Sequence, residues 1–168
     1  MANAKSELKF VYVTYIATTP ERLWEALTSG AFTEQYFFQR RVESDWQVGS
    51  PVTFWIGERE KDISGVVLRT DKPRVLSYTF VGPGDTKPEP SRVTFELKAM
   101  GPTVRLTLLH EGLSDADFEA DADKFRGVNN GWPVIVSNLK SVLETGKPAL
   151  AFAAPPRPDD APPAGGAR

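Results

Sequence analysis

The chain has 168 residues with one histidine and no cysteine, and its 20 basic and 22 acidic residues give a formal net charge of -2. A domain of this length can bury roughly 70% of its unfolded surface, so it needs no disulfide or structural metal to fold. The composition excludes disulfides, cysteine ligands and a histidine cluster for zinc, and it provides no field that favours nucleic acid or an anionic membrane. We therefore expect no metal, no other cofactor, and no nucleic-acid or membrane partner.

The N-terminal segment, residues 1–10, has no apolar stretch behind a basic start, as a secretory leader would. No later run approaches the roughly 18 consecutive apolar residues of a membrane span. We therefore expect a soluble, cytoplasmic protein.

The first elements are a strand followed by two short helices. Residues 10–16, FVYVTYI, are rich in β-branched and aromatic side chains and predict a strand. Thr19 is a good N-cap and Pro20 suits the first helical position, so a short helix should follow and be closed by Gly30. The apolar spacing in AFTEQYFF, residues 31–38, predicts a second short helix.

From Arg40 to Glu111 the apolar period changes to two, which predicts an antiparallel meander of strands separated by turn residues. Three later strands alternate most clearly, because their apolar residues mark one face and polar residues mark the other. The predicted strands are PVTFWIG, KDISGVVLRT, RVLSYTFV, SRVTFELK and TVRLTLLHE. The apolar face is predicted to carry Leu76, Tyr78, Phe80, Val93, Phe95, Leu97, Val104, Leu106 and Leu108.

The last ordered element is predicted to be an amphipathic helix in GWPVIVSNLKSVLETGKP, with apolar residues at helical spacing. Gly131 and Pro133 either begin this helix or kink it. Ser114 followed by Asp117 predicts one or two further helical turns before it. We assign residues 8–150 to one domain and residues 151–168, rich in Pro, Ala and Gly, to a disordered tail.

This order of elements resembles the helix-grip fold of the START/Bet v 1-like (SRPBCC) superfamily. Within it, the chain is similar to the bacterial family related to the C-terminal domain of the heat-shock-protein-90 ATPase activator. The likeness covers roughly Phe10 to Leu150. The segments that carry it are TTPERLWEALT, SDWQVGSPVTF, SGVVLRTDKPRVLSYTF, PSRVTFELKAMGPTVRLTLLHEGL and GWPVIVSNLKSVLETGKP.

The resemblance implies an α+β fold in which a curved antiparallel sheet of six or seven strands holds a long C-terminal helix across its concave face. Two short helices should follow the first strand. The resemblance also implies a cavity between helix and sheet rather than a shared reaction, because members of this family have no common catalytic set.

Aromatic residues are abundant enough to line such a cavity for an apolar or amphipathic ligand; the alternative for any one of them is ordinary core filling. We expect Trp132 to be the best placed, because it lies where helix and sheet should diverge. The candidate ligand-binding residues are Phe54, Trp55, Tyr78, Phe80, Phe95, Leu106, Trp132, Val136 and Leu139.

Candidates for catalysis or metal binding are weaker. His110 and Glu111 are adjacent, but neighbours on a strand point to opposite faces, so we expect a structural histidine; the alternative is a polar group at a pocket mouth. The acidic run from Asp115 to Asp123 lacks the glycine and terminal glutamate of a calcium loop. One buried arginine could orient a ligand carboxylate. The candidates for it are Arg69, Arg74, Arg92 and Arg105.

The sequence therefore predicts a non-enzymatic protein that binds a small hydrophobic molecule between the terminal helix and the sheet. The alternative is a co-chaperone-like or other protein-interaction module that acts through its exterior surface, with a chaperone or another protein as its partner. An enzymatic role would need a polar group with a shifted pKa inside the cavity.

Overall fold

The computed structural model describes residues 7–58 and 60–151. The predicted tail, apart from Ala151, lies outside the described residues. The described elements are, in chain order, β1 (Leu8–Ile16), α1 (Pro20–Thr28), α2 (Gly30–Tyr36), β2 (Arg40–Glu43), β3 (Pro51–Ile56), β4 (Glu60–Asp71), β5 (Val75–Phe80), β6 (Ser91–Met100), β7 (Thr103–Leu113), a 3₁₀ turn (Asp115–Asp117) and α3 (Gly127–Thr145).

The strands form one antiparallel sheet in the order β1-β7-β6-β5-β4-β3-β2. The last strand, β7, thus pairs with the first, β1, and the two edge strands are β1 and β2. This confirms the predicted helix-grip architecture, with two short helices after the first strand and a long helix at the C-terminus. The sequence analysis did not distinguish β2 as a separate strand, because it has four residues and three of them are charged.

One face of the sheet forms the core, and the predicted alternation is confirmed. Val93, Phe95 and Leu97 of β6 are at most 5% exposed, and Val104, Leu106 and Leu108 of β7 are at most 1% exposed. On the other face of the same strands the polar side chains are half-buried or exposed. This single buried face is the surface on which the helices pack.

The helix α1 starts as predicted, since the Thr19 hydroxyl accepts a hydrogen bond from the Arg22 backbone N–H at 3.2 Å and Pro20 is the first helical residue. It ends earlier than predicted, at Thr28. Gly30 begins α2 rather than closing α1, and the Cβ of a larger residue there would lie 2.5 Å from the Arg41 side chain. The two helices therefore follow each other with a single residue between them.

The helix α3 is continuous from Gly127 to Thr145 and contains Pro133 in its interior. Of the two alternatives left open for Gly131 and Pro133, the structure thus excludes a start at Gly131. The helix begins four residues earlier, and the residue after its end is Gly146, whose φ of 83° is the left-handed cap conformation that glycine favours.

Candidate functional site

Most of the predicted ligand-binding residues surround the narrow space between α3 and the sheet. Six of the nine line it together with residues of α1 and α2. The space has a volume of about 10 Å³, and roughly 10–15 Å³ is needed to hold one water molecule. The expected hollow beneath the middle of the helix is therefore filled. The six residues are Phe54, Tyr78, Phe95, Trp132, Val136 and Leu139.

Aromatic packing explains why this space is closed. The Trp132 ring meets Phe37 and Phe95 edge-on, at centroid distances of 5.6 and 6.1 Å. Phe54 lies 6.3 Å from Tyr78. These are the separations at which aromatic pairs attract each other, so the rings form a packed layer rather than a ligand wall.

The other three predicted residues lie elsewhere. Leu106 is buried in the core on β7. Trp55 follows the buried Phe54 on β3 and lies outside the core cluster, where the Lys61 ammonium is 5.9 Å from its ring. Phe80 is half-buried and contacts Trp132 at 5.9 Å, and these two residues mark the point where the packed layer ends.

Beyond Phe80 and Trp132 the space between helix and sheet opens into a cleft of about 530 Å³. We call this the N-terminal cleft, because the first turns of α3 form one wall. Its other walls are the loop between α2 and β2, the first residue of β2, parts of β4 and β5, the loop after β5, and the segment after β7. The lining residues are Phe37, Phe38, Arg40, Ile63, Phe80, Gly82, Pro83, Ala116, Asp117, Phe118, Glu119, Arg126, Gly127, Val128, Gly131, Trp132 and Ile135.

The aromatic wall of the cleft is built by a strained loop between α2 and β2. Phe38 and Gln39 have φ values of 48° and 61°, a left-handed conformation that side chains other than glycine rarely adopt. This reversal places Phe37 and Phe38 in the cleft wall and brings the Arg40 guanidinium to 5.8 and 5.9 Å from their rings. Two consecutive strained residues at a cleft are typical of a site whose geometry matters for function.

The opposite wall is the segment between β7 and α3, which two asparagines hold against the helix. The Asn129 side chain accepts from the Glu119 N–H at 2.9 Å and donates to the Glu119 carbonyl at 2.8 Å. Asn130 donates to the carbonyls of Asp121 and Lys124. The predicted helical turns in this segment reduce to the 3₁₀ turn, where Ser114 and Asp117 form the expected capping box.

A second depression, of about 430 Å³, lies between α1 and the loop before β3. Its rim carries Glu21, Glu25 and Lys72, around Trp24 and Trp46. Of the two spaces, the N-terminal cleft has the larger volume and includes a buried cation, Arg40, among its walls.

His110 is 2% exposed and lines a further space of about 400 Å³ that shares Phe80 and Asp117 with the N-terminal cleft. Its Nδ1 accepts a hydrogen bond from the Trp132 indole N–H at 3.0 Å, and its Nε2 is 2.8 Å from the Ser91 hydroxyl oxygen. Because Nδ1 accepts, the proton of the neutral ring is on Nε2, which donates to Ser91. Ser91 in turn donates to the Phe80 carbonyl at 2.8 Å.

This direction of hydrogen bonds prevents His110 from acting as a base toward Ser91, because a base needs a free lone pair on the nitrogen facing the hydroxyl. Burial, the largest influence, lowers the pKa of His110 to about 4, so the ring is neutral at pH 7. The expected structural role of His110 thus agrees with the geometry: it fixes the indole of Trp132. Glu111 follows it on β7 and is only half-buried.

An ion-pair cluster holds the loop between β5 and β6. The Lys87 ammonium lies 2.9 Å from Asp117 and 3.1 Å from Asp85. Burial would raise the pKa of Asp117, but hydrogen bonds from Ser114 and Lys87 outweigh it and hold that pKa below its usual value. The cluster therefore ties this loop to the 3₁₀ turn beside the cleft.

Residues 17–144 match the family described as Activator of Hsp90 ATPase homolog 1-like protein. The match extends over most of the domain, from the end of β1 nearly to the end of α3. The chain belongs to this family. Among curated proteins, none matches it significantly.

Solved structures similar to this Hsp90-activator-like chain share its fold. They include CalU16 from Micromonospora echinospora, with 21% identity, a TM-score of 0.59, and coverage of 76% of this chain and 71% of that one. An HSP90 activator from Plasmodium falciparum, PFC0360w, is 20% identical with a TM-score of 0.64, covering 80% and 95%. The Aha1 dimer from Colwellia psychrerythraea is 18% identical with a TM-score of 0.65, covering 83% and 98%.

The sequence analysis missed the buried arginine of the cleft in this member of the family. None of the four predicted arginines is buried: Arg69 and Arg74 are exposed, and Arg92 and Arg105 are half-buried. The buried arginine is Arg40, which is 8% exposed and paired with Asp62. The signal available in the sequence was its position two residues after the aromatic run Phe37-Phe38.

In the described parts of the chain, no three His, Asp or Glu side chains are close enough to hold a metal ion. The acidic run Asp115 to Asp123 instead makes local contacts, such as the Asp123 backbone N–H with the Asp121 carboxylate. No helix among the described residues has the length and apolarity to cross a membrane.

Proposed function

We propose that this chain binds a small amphipathic molecule in the N-terminal cleft and catalyses no reaction on it. The observation that carries the proposal is the abrupt change along α3, from a filled interior to an open space of about 530 Å³. That volume lies within the roughly 300–1,000 Å³ of known ligand pockets. Phe80, Trp132 and Ile135 supply apolar surface, and Arg40 supplies a buried polar group.

The absence of a reaction is supported by the hydrogen bonds of His110. The one imidazole of the chain uses both ring nitrogens in fixed contacts, with Trp132 and Ser91. It therefore has no lone pair to offer a substrate in the cleft.

Ligand binding can be measured through tryptophan emission and melting temperature while the protein is titrated with lipid-like and aromatic compounds. A ligand at a hundredfold excess over its dissociation constant adds about 2.7 kcal/mol to the free energy of unfolding. The decisive variant is Gly131→Leu, because Gly131 lines the cleft and a Cβ there meets no atom within 4 Å. The variant should therefore fold normally, and its leucine side chain should occupy the proposed ligand space.

The control for this variant is Glu34→Leu, which adds an apolar side chain at an exposed position on α2 outside the cleft. Gly131→Leu should abolish binding, and Glu34→Leu should leave it unchanged. Binding that survives in Gly131→Leu would contradict the assignment to the cleft, and the absence of any ligand for the native chain would contradict the function.

The second candidate function is contact with an Hsp90-type chaperone through the exterior of the sheet. It is favoured by family membership together with an apolar row on the outer face of the edge strand β1. Val11, Val13 and Tyr15 in this row are 51%, 48% and 50% exposed. Apolar side chains exposed side by side are typical of protein contact surfaces.

Purified Hsp90 from a bacterial source provides the test, with ATPase rate and binding by calorimetry as readouts. The native chain should bind, and the triple variant Val11→Thr, Val13→Thr and Tyr15→Thr should bind at least tenfold more weakly. No measurable binding, or equal binding by both proteins, would reject the exterior surface of β1 as the contact.

A further inference from the structure

Arg40 is a buried cation in the wall of the N-terminal cleft. It is the first residue of β2, directly after the strained residues Phe38 and Gln39. Its Nε donates to Asp62 of β4, and the side chains of this pair are 10% and 9% exposed. A pair so far removed from solvent needs nearly all of its hydrogen-bonding groups satisfied to be stable.

The guanidinium of Arg40 keeps most of its donors free. Arginine has five N–H donors, and Asp62 takes the one on Nε. The four on the terminal nitrogens have no hydrogen-bond partner in residues 7–58 and 60–151. In the same ranges, Trp55 Nε1 is the one side-chain nitrogen or oxygen that is fully buried and has no hydrogen-bond partner. The terminal nitrogens of Arg40 have no partner either, so they cannot be fully buried. Because Arg40 lines the cleft, these nitrogens are accessible to solvent there.

Two cations are among the residues that line the cleft: Arg40, which is buried, and Arg126, which is exposed. Asp117 is neutralised by Lys87 at 2.9 Å. Glu119 and Arg126, of opposite sign, lie at the rim. The first turn of α3 also borders the cleft, and no side chain caps it. Its free backbone N–H groups add positive potential on the same side.

We propose that the ligand of the cleft is an amphipathic carboxylate whose anionic group binds the terminal nitrogens of Arg40. This inference rests on the proposed binding function and specifies its ligand class. The flat fork of a guanidinium matches a carboxylate with two parallel hydrogen bonds. The apolar body of the ligand lies against Phe80, Trp132 and Ile135, which line the cleft between Arg40 and the packed interior.

The test compares, by calorimetry, 2-naphthoate with 2-naphthamide, which has the same ring system and a neutral head group. The native chain should bind the carboxylate at least tenfold more tightly than the amide. In the double variant Arg40→Gln with Asp62→Asn, both charges are removed together, so no buried charge is left unpaired. This variant should bind both compounds with equal affinity, at the level of the native chain with the amide.

Two further variants keep the result interpretable. Arg40→Lys retains a cation for Asp62 but lacks the planar fork of the guanidinium, so its preference for the carboxylate should fall severalfold. This variant provides the test if the double variant does not fold. Arg126→Gln removes the exposed cation at the rim and should change the preference less than twofold.

Equal binding of the two compounds by the native chain overturns the carboxylate inference and leaves the proposed function standing. So does loss of the preference in Arg126→Gln with no change in the Arg40 variants. Failure of the native chain to bind either compound overturns the inference, and failure with the broader set of lipid-like and aromatic compounds overturns the proposed function itself.

Discussion

The imidazole of His110 is held between two neutral partners, the Trp132 indole and the Ser91 hydroxyl, in a site that is 2% exposed. No sequence pattern links these three residues, because 19 and 22 positions separate His110 from its partners. The sequence could predict a structural histidine from strand geometry, but not the indole that it positions. Protonation of this ring would break the hydrogen bond from Trp132, because the protonated ring no longer accepts at Nδ1.

The free energy of unfolding should therefore depend on pH through His110. The unfolded chain takes up this proton near pH 6.5, whereas the folded chain does so at about pH 4. The stabilisation is complete above pH 6.5 and is lost as the pH falls from 6.5 toward 4, by at most about 3 kcal/mol. Urea unfolding at pH 7, 6, 5 and 4.5 measures this slope.

The control is His110→Gln, whose neutral amide can still accept from Trp132 and donate to Ser91. This variant should be less stable at pH 7 and should lose most of the slope between pH 6.5 and 4.5. An unchanged slope would mean that other groups account for the pH dependence. The pKa of Asp117 is held below its usual value, so its titration affects stability at lower pH.

At the scale of elements, the sequence predicted those whose own residues specify them. Thr19-Pro20 set the start of α1, the helical spacing of apolar residues predicted α3, and alternation set β6 and β7. The elements it missed depend on distant partners. The strand β2 exists because it pairs with β3, and α3 begins at Gly127 because the segment containing Glu119 lies against its first turn.

Two glycines near the start of α3 should therefore respond oppositely to alanine. Gly127 has a φ of 73°, and a Cβ there would lie 2.7 Å from the Glu119 backbone nitrogen, so Gly127→Ala should lower the free energy of unfolding by roughly 1–3 kcal/mol. Gly131 lies inside the helix with open space around its Cβ position. Gly131→Ala should raise the free energy of unfolding by roughly 0.5–1 kcal/mol.

Chemical denaturation of the two variants beside the native chain gives both values. Hydrogen exchange adds a local readout, because Gly127→Ala should also speed exchange of the Glu119 amide, which Asn129 holds. The same sign for both substitutions would contradict the described start of α3.

At the scale of the whole molecule, side chains fill the space between α3 and the sheet along most of the helix, and this space is open at the N-terminal end of α3. The resemblance implied a cavity and the aromatic inventory was consistent with one, but neither could predict where side chains would fill it. Phe37 decides this, because the loop before β2 turns its ring into contact with both Phe54 and Trp132, at 5.0 and 5.6 Å. The open space therefore lies toward Phe38 and Arg40, which were not among the predicted residues, although Phe80 and Trp132 of that set also line it.

A packed interior and an open cleft predict different costs for removing an aromatic ring. Phe95 is 3% exposed and contacts Tyr78 and Trp132 at 6.1 Å each, so Phe95→Ala should cost roughly 3–5 kcal/mol of unfolding free energy. Phe80 is half-buried beside the cleft, and Phe80→Ala should cost clearly less because part of its ring already faces the open space. If the two variants lose equal stability in urea, the division of the helix–sheet space into a filled interior and an open end is wrong. A large loss for Phe95→Ala, together with retained binding of a cleft ligand, would establish that the interior supports the fold and the open end serves the ligand.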